Sequence, residues 1–168
     1  VIWNIVQLDK SIDVSQFDCG TPELNNFLLK YALSGYHQGF NTTYVAIEKG
    51  KIIASGYFTL TYAEIRFESL PQENKKGVPR YPLPAIRLAR LAVDKASQGS
   101  GLGKLLMKTV FEIFIEQSKK IRAFALIVDA KDTNAVTFYQ KYGFIQYKDQ
   151  PSSLFLPRKT IEEAVHRK

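Results

Sequence analysis

The sequence predicts an α/β protein of the mixed α+β kind, with one mixed sheet and helices packed against it. Three observations lead there. Short β-branched or aromatic runs alternate with segments of helical periodicity in the order β-α-β-β-β-α-β-α-β-β. A glycine-rich loop, Gln98 to Lys104, joins an apolar run, Leu88 to Val93, to an amphipathic stretch, Leu102 to Gln117. The chain has 168 residues and is 45% hydrophobic, enough to bury a core in one domain spanning 1–168.

Residues 2–8 alternate loosely and predict a first strand. Thr21-Pro22-Glu23 is a helix start: a capping residue, proline in the first turn and an early acid. Leu24, Phe27, Leu28 and Tyr31 then recur at helical spacing. Residues 43–47 and 51–62 predict two strands, with Glu48-Lys49-Gly50 as the turn between them. Pro71 to Pro84 is a loop rich in proline. Residues 85–93 predict a strand, followed by the glycine loop and a long helix, and 122–128 a buried strand. Thr133 to Tyr142 predicts a short helix stopped by Gly143. Phe144 to Tyr147 and Ser153 to Leu156 predict a closing pair of strands, and the polar tail Ile161 to Lys168 a loose helix.

The loop carries the chemistry. After a strand and before a helix, glycines let the backbone approach a pyrophosphate, and N–H groups at the positive end of the helix dipole hold it. A phosphate-binding Walker loop needs G-x-x-x-x-G-K-[ST], but Gln98 replaces the first glycine and Leu105 the hydroxyl residue. A dinucleotide fingerprint needs G-x-G-x-x-G, and Lys104 stands where its third glycine belongs. The pattern that fits is Q/R-x-x-G-x-G/A, read at Gln98, Gly101 and Gly103. It resembles the acetyl-CoA loop of the GNAT N-acetyltransferases; the alternative is a plain glycine turn.

A second motif, Asn134-Ala135-Val136-Thr137-Phe138-Tyr139-Gln140-Lys141-Tyr142-Gly143-Phe144, resembles that family's other signature. The resemblance implies acetyl-CoA as co-substrate, bound by Gln98, Gly99, Ser100, Gly101, Leu102, Gly103 and Lys104. It places the backbone of Leu91, Ala92 and Val93 on the pantetheine and thioester carbonyl. Asn134 would cap the helix or anchor near the pantetheine. Tyr139 would lie beside the cofactor sulfur. A phenol of pKa about 10 is protonated at neutral pH and can donate to a leaving thiolate. Tyr139 is therefore the candidate general acid; a packed aromatic is the alternative. Tyr142 reads as packing. No metal is implied.

Charge bears on the acceptor. The formal net charge is +7, and Lys75, Lys76, Arg80, Arg87, Arg90, Lys95, Lys104 and Lys108 face a single acid, Asp94, across that stretch. A polyanionic partner fits, as does a merely solvated basic face. At pH 7.4 about one lysine in a thousand is neutral, against roughly a quarter of α-amines, so a lysine acetylase gains much from a carboxylate base. The strand before the loop offers Arg87 and Arg90 instead. Glu64, Glu68 and His37 are possible bases that read more simply as surface residues. An α-amine on an anionic carrier fits better. A lone cysteine, Cys19, leaves no internal disulfide and fits a reducing compartment. No membrane span or signal peptide is expected.

Phe17-Asp18-Cys19-Gly20, Leu24-Asn25-Asn26-Phe27-Leu28, Thr43-Tyr44-Val45-Ala46, Gly56-Tyr57-Phe58-Thr59-Leu60 and Arg87-Leu88-Ala89-Arg90-Leu91-Ala92-Val93-Asp94 carry a narrower likeness. Together they resemble the GNAT toxins of type II toxin–antitoxin systems. That resemblance implies a cytoplasmic enzyme that acetylates the α-amine of aminoacyl-tRNA and stops translation. It implies a ribbon-helix-helix antitoxin partner, DNA contact only through that complex, and a homodimer. Candidate tRNA contacts are Lys30, Lys75, Lys76, Arg80, Arg87 and Arg90. Asn25 departs from the usual acid at its position, which reads as structural. The resemblance does not select the amino acid. An ordinary GNAT enzyme acting on a small amine, protein N-terminus or lysine, and a non-catalytic RNA- or partner-binding module of the same fold, are the alternatives.

Overall fold

A computed structural model describes residues 1–166. Its strands are β1 (Trp3–Gln7), β2 (Thr42–Glu48), β3 (Ala54–Ile65), β4 (Leu83–Val93), β5 (Ala125–Asp129), β6 (Ile145–Gln146) and β7 (Ser153–Pro157). Its helices are α1 (Pro22–Asn26), α2 (Ala32–His37), α3 (Leu102–Lys120), α4 (Thr133–Gln140) and α5 (Arg158–His166). The seven strands form one sheet in the order β1-β2-β3-β4-β5-β7-β6. Contacts divide the chain into two compact units, Val1–Thr61 with Leu88–Val110, and Tyr62–Arg87 with Phe111 onward. The division falls within β3, β4 and α3.

In the first unit, β1 pairs antiparallel with β2 from Trp3↔Glu48 to Gln7↔Tyr44, and β2 pairs antiparallel with β3. The β2–β3 register shifts at Ala46/Ile47, a local bulge. The expected turn closes there with Gly50 at φ +85°, and β3 begins only at Ala54. Phe17, Phe27, Leu28, Val45, Tyr57 and Ala92 form the core. Buried Thr43 and Thr59 satisfy one another across the strands, hydroxyl to hydroxyl at 2.7 Å. Gly56 is glycine for a packing reason. A Cβ there would stand 3.1 Å from Leu102, 3.2 Å from Leu106 and 3.2 Å from the carbonyl of Ala92. Its absence lets the first turns of α3 lie close on the strand.

The predicted first helix is present, with Pro22 in its first turn and Thr21 at the cap, although the threonine side chain makes no capping bond. Helical spacing did not reveal the π turn at Phe27–Tyr31, where the N–H of Ala32 reaches back to the carbonyl of Phe27. It separates α1 from α2 and holds one residue more than an α-helical turn.

In the second unit, β5 pairs antiparallel with β7 from Ala125↔Pro157 to Asp129↔Ser153, and β6 pairs with β7. Ile65, Leu70, Leu83, Ala85, Ala125, Ile127 and Phe155 make its core. The closing strands are thus those expected, with β7 rather than β6 beside β5. Gly143 takes φ +96°, as a glycine just past a helix does. The tail is more ordered than its polarity suggested. Helix α5 starts at Arg158 and buries Ile161 completely, and the last two residues of the expected tail helix lie outside the described chain. Among the described residues, no helix is long and apolar enough to cross a membrane.

Candidate active site

The glycine loop is built by a strand end, a short turn and a helix start. As β4 ends, the Asp94 carboxylate accepts from the N–H of Ala96 and from that of Asp18, each at 2.9 Å. This turns the chain into one 3-10 turn, Lys95–Ser97. The Gln98 side-chain amide then donates to the carbonyls of Val93, at 2.9 Å, and Cys19, at 3.2 Å. The side chain of the motif's first residue therefore braces the loop against two segments. Gly99 and Gly101 take φ +77° and +88°, and a Cβ on either would meet nothing within 4 Å. The Ser100 hydroxyl donates to the carbonyl of Ser97. Buried Leu102 fixes the helix start, and the N–H of Leu105 bonds the carbonyl of Gly101 at 3.1 Å. The N–H groups ahead of Leu105 have no intrahelical acceptor. Open space above two glycines, beside free donors at a helix N-terminus, fits a pyrophosphate.

The turn that receives Gln98 is itself fixed. Asn25 accepts from the N–H of Cys19 at 2.9 Å and donates to Asp18 at 3.0 Å. Hydrogen bonds from the N–H of Gly20 and the Asn25 amide, then the nearby Lys95 ammonium, hold the Asp18 carboxyl below its usual range. Asn25 thus plays the structural part expected of its position.

In the second unit, Tyr139 sits on α4, 9% exposed. Its ring lies edge-on to Phe138 at 5.2 Å and to Phe144 at 5.4 Å. Burial pushes its phenol up to about 12. It is therefore protonated at neutral pH and suited to donate a proton rather than to take one. Tyr142 packs between Phe111 and Phe138, as expected. The capping role expected of Asn134 belongs instead to Asp132. Asp132 has the extended backbone a cap requires, φ −157° and ψ 178°, and accepts from the N–H of Ala135 at 2.8 Å. Asn134 already lies in the first turn, exposed to solvent.

Residues 18–153 match the family described as "Acetyltransferase (GNAT) domain". The chain belongs to the GNAT acetyltransferases. Its class of chemistry is therefore acetyl-CoA-dependent acyl transfer. Among its relatives is the tRNA-acetylating toxin of Mycobacterium tuberculosis (strain ATCC 25618 / H37Rv), 31% identical over 144 residues, 86% of this chain and 85% of that protein. Among solved structures, AtaT complexed with acetyl-methionyl-tRNAfMet is similar at 28% identity and TM-score 0.90, covering 97% of this chain and 99% of that one. A tyrosine-to-phenylalanine variant of the AtaT toxin, bound to the C-terminus of the antitoxin AtaR and acetyl-CoA, is similar at 25% identity and TM-score 0.83, covering 98% and 99%.

The remaining predicted residues of this GNAT chain fall into distinct settings. Leu91 and Val93 are half-buried at the end of β4, with Ala92 buried between them. Arg90 lies over the ring of Phe27, 3.6 Å from its centre. Tyr57 packs against the same ring and donates its hydroxyl to the carbonyl of Leu24 at 2.8 Å. Burial pushes the Tyr57 phenol well up, and the Arg90 charge offsets only part of that. Lys30 is exposed. In the second unit, Lys75 and Arg80 gather on one ring, Phe67, at 5.2 and 5.5 Å, and Lys76 is exposed nearby in sequence. Glu64, Glu68 and His37 are exposed, and Glu68 stands 3.8 Å from Arg66.

Arg87 is not a free cation, because it pairs with Asp129. The other carboxylate oxygen of Asp129 accepts from the Ser153 hydroxyl at 2.8 Å. Sequence reasoning missed Asp129, because nothing local marks an aspartate at a strand end as the partner of an arginine 42 residues away. Asp132 could have been found: an aspartate ahead of Thr133 is an ordinary helix-start signal.

Proposed function

We propose that this GNAT enzyme is the toxin of a type II toxin–antitoxin system. It transfers acetyl from acetyl-CoA to the α-amino group of aminoacyl-tRNA and so blocks translation. One observation carries the reading: 31% identity to a tRNA-acetylating toxin across 86% of the chain. The chemistry is consistent with it. The span Leu83–Val93 contains Arg87 and Arg90 and no acid, which suits an amine already partly neutral on a phosphate-rich carrier.

In this proposal residues 1–168 act as one acetyltransferase domain. Gln98 to Lys104 hold the pyrophosphate of acetyl-CoA through backbone N–H groups, with the Gln98 side chain as brace. The backbone of Leu91, Ala92 and Val93 orients the pantetheine and polarises the thioester carbonyl, with Asn134 near the same chain. The bound thioester supplies the electrophilic acyl carbon. Tyr139 donates a proton to the departing sulfur. Lys30, Lys75, Lys76, Arg80, Arg87 and Arg90 meet tRNA phosphates. The enzyme works in the cytoplasm as a homodimer, is neutralised by a ribbon-helix-helix antitoxin, and contacts DNA only through that complex.

The test is to incubate charged aminoacyl-tRNA with the protein and labelled acetyl-CoA. Label on the α-amine of aminoacyl-tRNA is expected. Label only on proteins or small amines would make it an ordinary acetyltransferase, and no transfer to any acceptor a binding module.

A further inference from the structure

The environment of Arg87 assigns it a narrower task than that of the exposed Lys30 and Lys76. Exposed ion pairs are usually loose, worth little, and free to re-form. This one is tethered at both ends. Arg87 belongs to β4, and Asp129 closes β5. Asp129 stands in register with Ser153 of β7, whose side chain is buried and whose hydroxyl occupies one carboxylate oxygen. The Ser153 N–H is in turn bonded to the carbonyl of Gln150 at 2.9 Å. The carboxylate, its side chain 60% exposed, is thus held on one oxygen by Ser153, which also lies 3.4 Å from Gln150 Oε1, while the other oxygen holds one nitrogen of the guanidinium. The Arg87 side chain remains 33% exposed, and the pair with Asp129 uses one nitrogen of its planar fork.

We infer that Asp129, locked by Ser153, is a positioning residue that aims the Arg87 guanidinium at one phosphate of the acceptor. This rests on the tRNA-acetylating reading. A guanidinium fork recognises a phosphate with defined geometry, whereas a lysine ammonium acts as a point charge. Lys30 and Lys76 then attract the polyanion without fixing it. Arg87 sets where the acceptor lies, because phosphate contacts determine register. Asp129 lowers the net positive charge of the surface, so its presence is unexplained by attraction alone.

The variants are Asp129→Asn, Arg87→Gln, Arg87→Lys, the double variant Asp129→Asn/Arg87→Gln, and Ser153→Ala. Each is assayed on charged tRNA for kcat and both KM values, with thermal melting to confirm folding. Asp129→Asn should raise KM for aminoacyl-tRNA about tenfold, with kcat and KM for acetyl-CoA within about twofold. Arg87→Lys, which keeps the charge but loses the fork, should behave the same way. Ser153→Ala, the mildest change, should raise that KM about threefold. The double variant should be no worse than Arg87→Gln alone. The positioning role is overturned if Asp129→Asn has its full effect in the Arg87→Gln background, lowers kcat alone, or leaves KM for tRNA unchanged. It is equally overturned if Arg87→Lys matches wild type. Absence of transfer to aminoacyl-tRNA by the wild-type enzyme would instead overturn the functional reading itself.

Discussion

Arg90 lays its guanidinium over the ring of Phe27, 3.6 Å from the ring centre, and so ties β4 to the π turn after α1. Phe27 is 8% exposed, so the cation meets the ring in a partly desolvated place where such contacts are stronger. Phe27→Leu should lower the unfolding free energy by about 1–2 kcal/mol. Urea unfolding of a double-mutant cycle with Arg90→Ala measures the coupling. Additive losses would show that the cation and the ring do not stabilise one another.

Tyr139→Phe is expected to lower kcat at least about tenfold, the usual least contribution of a positioned acid being larger than that. KM for acetyl-CoA should change less than about twofold, because the lost hydroxyl acts on the leaving sulfur. The melting temperature should hold, since the ring still packs on Phe138 and Phe144. Wild-type kcat in this variant would remove Tyr139 from the mechanism.

Two glycines of one loop should respond in opposite ways. Gly101 takes φ +88°, so Gly101→Ala forces a left-handed conformation costing about 1–2 kcal/mol. Its methyl would also enter the open face where the pyrophosphate is expected. KM for acetyl-CoA should rise about tenfold or more. Gly103 lies inside α3, and a Cβ there would meet only Val93, at 4.0 Å. Gly103→Ala should leave that KM within about threefold and raise stability by about 0.5–1 kcal/mol. Equal damage from both would argue against the loop geometry described.

Alkaline titration follows from buried phenols. Tyr139 and Tyr147 are both pushed up to about 12, by burial first; for Tyr147 the Asp129 carboxylate adds to the rise. Below pH 10 these groups are protonated in folded and unfolded chains alike. Between about 10 and 12 the unfolded chain releases protons that the folded one keeps, so stability falls as pH rises. Denaturant midpoints should be flat from pH 8 to about 9.5 and drop above 10. A flat profile to pH 12 would show that these phenols are not desolvated. Activity should show no alkaline loss from Tyr139 near pH 9.

Much of this was legible in the residues. The loop pattern at Gln98, Gly101 and Gly103 is local: Gln98 braces the loop and Gly101 takes a positive φ, while nothing packed on Gly103 requires a glycine there. Element order was readable because apolar period distinguishes strand from helix over short windows. Three things were hidden. Strand ends drifted by a few residues, as at Ala54 and Ala125, because chain register rather than composition decides where pairing begins. The π turn has no compositional signature, since Phe27 and Leu28 suit either helix. The Arg87–Asp129–Ser153 chain depends on which strands become neighbours, and β7 came to lie beside β5 rather than at the edge.

The π turn has a further consequence, for ancestry. One residue more than an α-helical turn holds is what a one-residue insertion into a plain helix would leave. Every residue beyond it is rotated by about 100° relative to an uninterrupted helix of the same sequence. The change that would restore a plain helix is a one-residue deletion within 27–31. The lost residue and the lost bulge would cancel, so every side chain beyond it, through Tyr36, would keep its present side of the helix. Among relatives of this chain, the informative difference in that segment is therefore a gap in the alignment rather than an exchange of residues.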